Sequence, residues 1–226
     1  MLRMRLFLCA VCMLCAFGDA AAGLTNDEAG NGLRAAIARG SEFAVLELGK
    51  PNGFGGNEKV RIGMPESLRK AESAARKLGF GKHADELLDA MNQAAELAVV
   101  EAKPILLAAV KKMSFKDAKD ILFGEQDAAT QYFRRTTTAD LTTAFLPIVH
   151  RTTTKVQLAQ KYSVFVGRAA KLGLIDAKTA DLDAYVTGKT IDGLFVMIAE
   201  QEKTIRSDPV GTGSALLKRV FGAAGK

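Results

Sequence analysis

KHADELLDAMNQAAELAVVEAKPILLAAVKKM, residues 82–113, runs directly into SFKDAKDILFGEQDAATQYFRRTTTADLTTAFLP, residues 114–147, and the reading of this stretch decides the fold. Its apolar residues recur at helical spacing, and strand-favouring alternation is absent from it. The first half predicts one long helix from Lys82 to Met113, kinked or divided at Pro104, because an interior proline removes a backbone donor and costs about 3 kcal/mol or more. Ser114 and Asp117 have capping-box spacing, which opens a helix that Gly124 ends. Asp127 is the expected cap of a segment Ala128–Arg135, and one of Thr136, Thr137 and Thr138 the expected cap of the next. Polar residues keep interrupting the apolar pattern, chiefly Asn92, Glu96, Thr130, Tyr132, Arg134 and Arg135.

The periodicity continues outward on both sides. Upstream, Thr25 and Glu28 have capping-box spacing before Leu33, Ile37, Phe43, Leu46 and Leu48, giving a first helix over about Asp27–Leu48. GKPNGFGGNEKVRIGMP, residues 49–65, then breaks the chain. It carries neither the P-loop nor the G-x-G-x-x-G phosphate pattern, so it reads as a connector whose Phe54 and Ile62 enter the core. A short helix over Glu66–Leu78 stops at Gly79. Downstream, the helix containing Leu141, Phe145 and Val149 is expected to bend at Pro147 and continue through Leu158, Tyr162 and Phe165. Asp181 or Asp183 starts a short helix and Thr190 or Asp192 a second, with an apolar stripe of Leu194, Phe195, Ile198 and Ile205. The fold class is therefore all-α: a single-domain multi-helix bundle with a long, proline-kinked central helix. Its domain spans residues 23–210, and residues 211–226 form a small amphipathic tail.

Residues 1–22 stand apart. Arg3 and Arg5 precede an apolar run from Leu6 to Phe17, and Ala20, Ala21 and Ala22 supply a small-residue cleavage pattern, the signature of a secretory signal peptide. The run is about 12 residues, short of the roughly 20 that span a bilayer. All three cysteines fall inside it, so the mature chain has no disulfide, thiolate ligand or cysteine nucleophile. Val11 before Cys12 and Leu14 before Cys15 do not fit a lipid-anchoring signal. The expected address is periplasmic or secreted. The net charge of +6 favours anionic partners, whereas the lack of any long Lys/Arg block argues against nucleic acid.

Seven pieces taken in order, LGKPNGF, VRIGMPESLRKAESAARKLG, MNQAAE, MSFKDAKDIL, DAATQYFRRTT, FLPIV and DGLFVMIAEQEKTIRSDP, resemble the bacterial proteins grouped as domain of unknown function 4197. The resemblance covers roughly Leu24–Phe221. It implies an exported helical protein and supplies no activity. In that family arginine usually follows the asparagine of the MNQAAE piece; here Gln93 takes its place.

Asn92 and Glu96 are four apart on one helix face among Ala94, Ala95 and Ala98, small residues that let a neighbouring helix approach closely. Buried, the two side chains need partners, either an interhelical hydrogen-bond network or a bound molecule. Arg134 and Arg135 can grip a carboxylate or phosphate, or pair internally with the acidic run of Glu200, Glu202 and Asp208. His83 and His150 are isolated in sequence, and no HExxH, EF-hand or G-x-S-x-G pattern accompanies them, so no catalytic residue, metal ligand or cofactor is assigned. The candidate ligand-binding set is Asn92, Glu96, Thr130, Tyr132, Arg134 and Arg135. The primary functional expectation is an exported binding protein that takes an amphipathic or anionic small molecule between the Lys82–Met113 run and the Ala128–Arg135 segment. The alternatives are an envelope-associated protein docking on a membrane surface or protein partner, and an uncharacterised hydrolase.

Overall fold

The computed structural model describes residues 26–171 and 181–208, and their regular structure is all helical, with no strand among them. Among the described residues eight helices follow one another: α1 Asn26–Leu48, α2 Glu66–Lys77, α3 Gly81–Val99, α4 Ala102–Lys112, α5 Phe115–Leu122, α6 Ala128–Lys155, α7 Leu158–Lys171 and α8 Leu182–Ser207. Thr25, the connection 172–180 and the tail 211–226 lie outside the described residues.

Helices α3, α6 and α8 pack against one another at the centre, with α1 laid across α8, α4 and α5, α2 on α3, and α7 on α3 and α6. Helix α3 can sit there because one side of it is nearly all alanine: Ala84, Ala90, Ala94, Ala95 and Ala98 are buried beside Leu87, Leu88 and Met91. Small side chains shorten the interaxial distance and let three partners reach the same helix. Phe54, Phe133, Phe145, Phe165 and Phe195 fill the space between helices and are fully enclosed.

The long central helix is divided, and the division is not a proline kink. The chain breaks at Val100 and Glu101, and Pro104 falls in the first turn of α4, where its missing N–H costs nothing because first-turn donors have no intrahelical acceptor. A second difference concerns Ala128–Arg135, which does not end before the threonines: α6 runs on through them and through Pro147 to Lys155. Thr136, Thr137 and Thr138 donate their hydroxyls to the carbonyls of Tyr132, Phe133 and Arg134 at 2.8, 2.7 and 2.5 Å, the back-bonding that allows threonine inside a helix. The turn between α6 and α7 comes instead at Gln157, whose φ is +56°. Helix α8 likewise absorbs both expected starts: Asp181 caps it by accepting from the Ala184 amide at 2.9 Å, and Thr190 and Asp192 lie within it.

Other local signals hold. The Ser114 amide donates to Asp117 at 3.0 Å and the Asp117 amide to the Ser114 hydroxyl at 3.1 Å, a reciprocal capping box. Gly79, at φ +80°, ends α2.

Candidate functional site

The six candidate residues are not gathered in one pocket; they separate into three environments. Asn92 is 3 % exposed and spent on the α1–α2 loop. Its Oδ1 accepts from the Ile62 amide at 2.8 Å, and its Nδ2 donates to the Ile62 carbonyl at 2.9 Å and to Leu88 O at 2.8 Å. The side chain therefore acts as a one-residue strand, satisfying both backbone groups of a buried residue that has no sheet to join. One turn further on, Glu96 Oε1 accepts from the amides of Phe54 and Gly55 at 3.1 and 3.2 Å. Consecutive amides converging on an anion form a nest, and the carboxylate holds the loop in that shape.

The rest of the loop is fixed as firmly. Phe54 is enclosed against Gly193 of α8, where an added Cβ would stand 2.7 Å from the Phe54 ring. Asn52 takes φ +63°, and a Cβ on Gly53 would lie 2.4 Å from the Leu48 carbonyl oxygen. Tyr185 donates its hydroxyl to Gly63 O at 2.9 Å. Asn92 and Glu96 are thus clamps on residues 49–65, and Gln93 between them is exposed.

Thr130 belongs to a second network, centred on Glu202 rather than on Asn92 and Glu96. Glu202 of α8 is buried and accepts from the Ala129 and Thr130 amides and the Thr130 hydroxyl, each at 2.9 Å. Arg206, one turn on, donates to Glu202 at 2.9 and 3.1 Å and to Ile121 O at 2.8 Å. Glu202 therefore caps α6 from another helix, its negative charge at the positive end of the helix dipole. Asp127 occupies the N-cap position without capping, and its carboxylate accepts from the Gln131 side-chain Nε2 instead. A readable signal existed: Glu202 falls between Ile198 and Ile205 on the apolar stripe of α8, where a carboxylate must be partnered. Arg134 is held by α8 as well, 3.3 Å from Asp192 and with its guanidinium 4.9 Å from the Phe195 ring centroid, rather than by Glu200, Glu202 or Asp208.

Tyr132 and Arg135 make the third environment. The Tyr132 ring is buried and forms one wall of a groove of about 370 Å³ between α4 and α6, opposite Pro104, Ile105, Ala108 and Ala109. Lys112, Thr136, Thr137 and Asp140 complete it. Burial raises the phenol's pKa above its ordinary value, Asp117 nearby adds to this, and Arg135 opposes it. The Arg135 guanidinium stands 6.0 Å from the ring centroid.

A larger cleft of about 850 Å³ lies between α6, α7 and the start of α8, with His150, Thr153, Tyr162, Ser163, Val166 and Asp183 on its walls. His150 Nδ1 is 2.6 Å from Asp183, whose other oxygen accepts from Thr153 at 2.7 Å. A carboxylate orienting an imidazole is half of a nucleophile-activating arrangement. The other half is not made: the Ser163 hydroxyl donates to Ala159 O, within its own helix, at 2.7 Å. Asp181, on the rim, is the first described residue after 172–180. Among the described residues no group of three or more His, Asp, Glu or Cys side chains could hold a metal ion, and no helix is long and apolar enough to cross a membrane.

An all-α bundle with a clamped inter-helix loop and a groove between two of its helices is the class these features define. The chain belongs to the family described as protein of unknown function (DUF4197), whose model matches residues 23–222. No curated protein and no solved structure matches it.

Proposed function

We propose that this is an exported binding protein that takes a small amphipathic molecule in the groove between α4 and α6. One observation carries the reading: Tyr132 is the member of the candidate set that faces a concavity, and the wall opposite is apolar and small, Pro104, Ile105, Ala108 and Ala109. Its volume of about 370 Å³ is at the lower end of the range of small-molecule sites. Asn92, Glu96, Thr130 and Arg134 serve the scaffold and do not touch the ligand. Export rests on the leader-like residues 1–22.

The test is saturable binding of 1-anilinonaphthalene-8-sulfonate to the native protein, compared with Ala108→Trp. Ala108 is exposed on α4, so the indole occupies the groove without entering the core. The expected result is loss of the saturable fluorescence with an unchanged melting temperature. Equal dye binding by the two proteins refutes the assignment.

A further inference from the structure

The groove has a direction. Arg34 of α1 donates to the Met113 carbonyl, which follows α4, at 2.8 Å, and both Arg34 and Asp117 act electrostatically on the Tyr132 phenol. The C-terminal end of α4 therefore lies at Tyr132, and the two helices run antiparallel along the groove, with Lys112 beside Tyr132 at one end and Pro104 towards Asp140 at the other. Charge is distributed accordingly. Lys112 is on the wall, and Arg135 stands over the Tyr132 ring; both are exposed, and neither forms a salt bridge with a described carboxylate. Asp117, the acidic residue whose charge Arg135 feels, is already engaged by the amide and hydroxyl of Ser114. Lys116 adds positive charge at the same end. The far end carries Asp140.

We infer that the groove selects a single-chain monoanionic amphiphile, its carboxylate or sulfate head between Lys112 and Arg135 and its alkyl chain along Ile105, Ala108 and Ala109 towards Pro104. The wall from Pro104 to Lys112 is about 12 Å long at the helical rise, room for a chain of roughly ten carbons. Asp140 sets a second criterion, because a ligand charged at both ends would bring a carboxylate against a carboxylate there. Selection against the wrong ligand by a placed like charge is as effective as attraction of the right one. This inference rests on the groove being the binding site, and adds its polarity.

Isothermal titration of the full-length mature protein with decanoate, decanedioate and decyltrimethylammonium tests it. Decanoate is expected to bind, with the other two at least tenfold weaker. Lys112→Gln and Arg135→Gln should each weaken decanoate about tenfold, as loss of one charge-assisted hydrogen bond does, while leaving the circular dichroism spectrum unchanged. Asp140→Asn should bring decanedioate to within about threefold of decanoate. If decyltrimethylammonium binds as well as decanoate and Ala108→Trp blocks both, the groove is the site and its polarity is wrong. If decanoate binds equally to wild type and Ala108→Trp, the groove itself is wrong. Binding to anionic phospholipid vesicles with no binding of free decanoate overturns the inference in favour of surface docking.

Discussion

Replacing Asn92 by alanine should loosen residues 49–65 and cost the protein a large part of its stability. The magnitude follows from the groups left behind. Ile62 is 1 % exposed, and its amide and carbonyl lose their Asn92 partners together, at 2.8 and 2.9 Å. A buried backbone group without a partner costs about 1–3 kcal/mol, so the pair costs roughly 2–5 kcal/mol, allowing for a water that could enter the space of the lost amide. At about 2–4 °C per kcal/mol for a domain of this size, the melting temperature should fall by roughly 4–20 °C. Urea denaturation gives the free energy, and hydrogen exchange at Phe54, Gly55 and Ile62 gives its location. Asn92→Asp makes the argument sharper. Its second oxygen would face the carbonyls of Ile62 and Leu88, which holds the folded-state pKa of the new carboxyl above its unfolded value. The deficit should then be greatest above that raised pKa and shrink as pH falls through it, because the protonated acid can donate where the amide did. A loss below about 1 kcal/mol for Asn92→Ala, or a pH-independent deficit for Asn92→Asp, would show that the clamp does not hold the loop.

Glu202→Gln should destabilise by about 1–3 kcal/mol, since it removes the negative charge from the leading end of α6 and turns an NH2 towards the donors of Ala129 and Thr130; equilibrium unfolding measures it, and a neutral result removes the inter-helix cap. Gly53→Ala should be worse than Gly193→Ala, because the first added Cβ meets backbone oxygen at 2.4 Å and the second meets a ring edge at 2.7 Å that can shift at a cost of about 1–3 kcal/mol; thermal melts of the two variants rank them. The Asp117 carboxyl titrates below its ordinary range because Ser114 hydrogen-bonds its charged form. Its contribution is therefore present above the unfolded pKa and lost as pH falls through the lower folded one. Ser114→Ala should flatten the stability profile as pH falls through and below the ordinary carboxylate range, and an unchanged profile would count against the capping box.

What could be read in advance was local. Ser114 with Asp117, Gly79 after α2, and Phe54 with Ile62 in a glycine-rich connector announce themselves within a few residues, and each behaves as its spacing implies. The threonine run misled because a hydroxyl that can cap a helix can also bond back into one, and only the packing of Phe133, Thr137 and Leu141 into the core decides between the two. Pro104 has the same ambiguity: proline that would break a helix interior is at ease in a first turn, so everything depends on where the preceding helix stops. Asn92 and Glu96 were legible as polar groups that needed partners, but the partners are backbone amides of a loop, which carry no side-chain signature. The direction of the α4–α6 groove was beyond reach, since Lys112 and Asp140 meet its two ends only once the helices lie antiparallel.

The cap on α6 arrives late. Its first turn is completed by Glu202, more than seventy residues downstream, so a chain emerging amino terminus first can form α6 but cannot close its leading end until α8 has also appeared and docked. Up to that moment the exposed donors at Ala129 and Thr130 leave the largest helix pair unfinished. A chain with this order of assembly stays pliable through most of its synthesis and sets only when α8 docks.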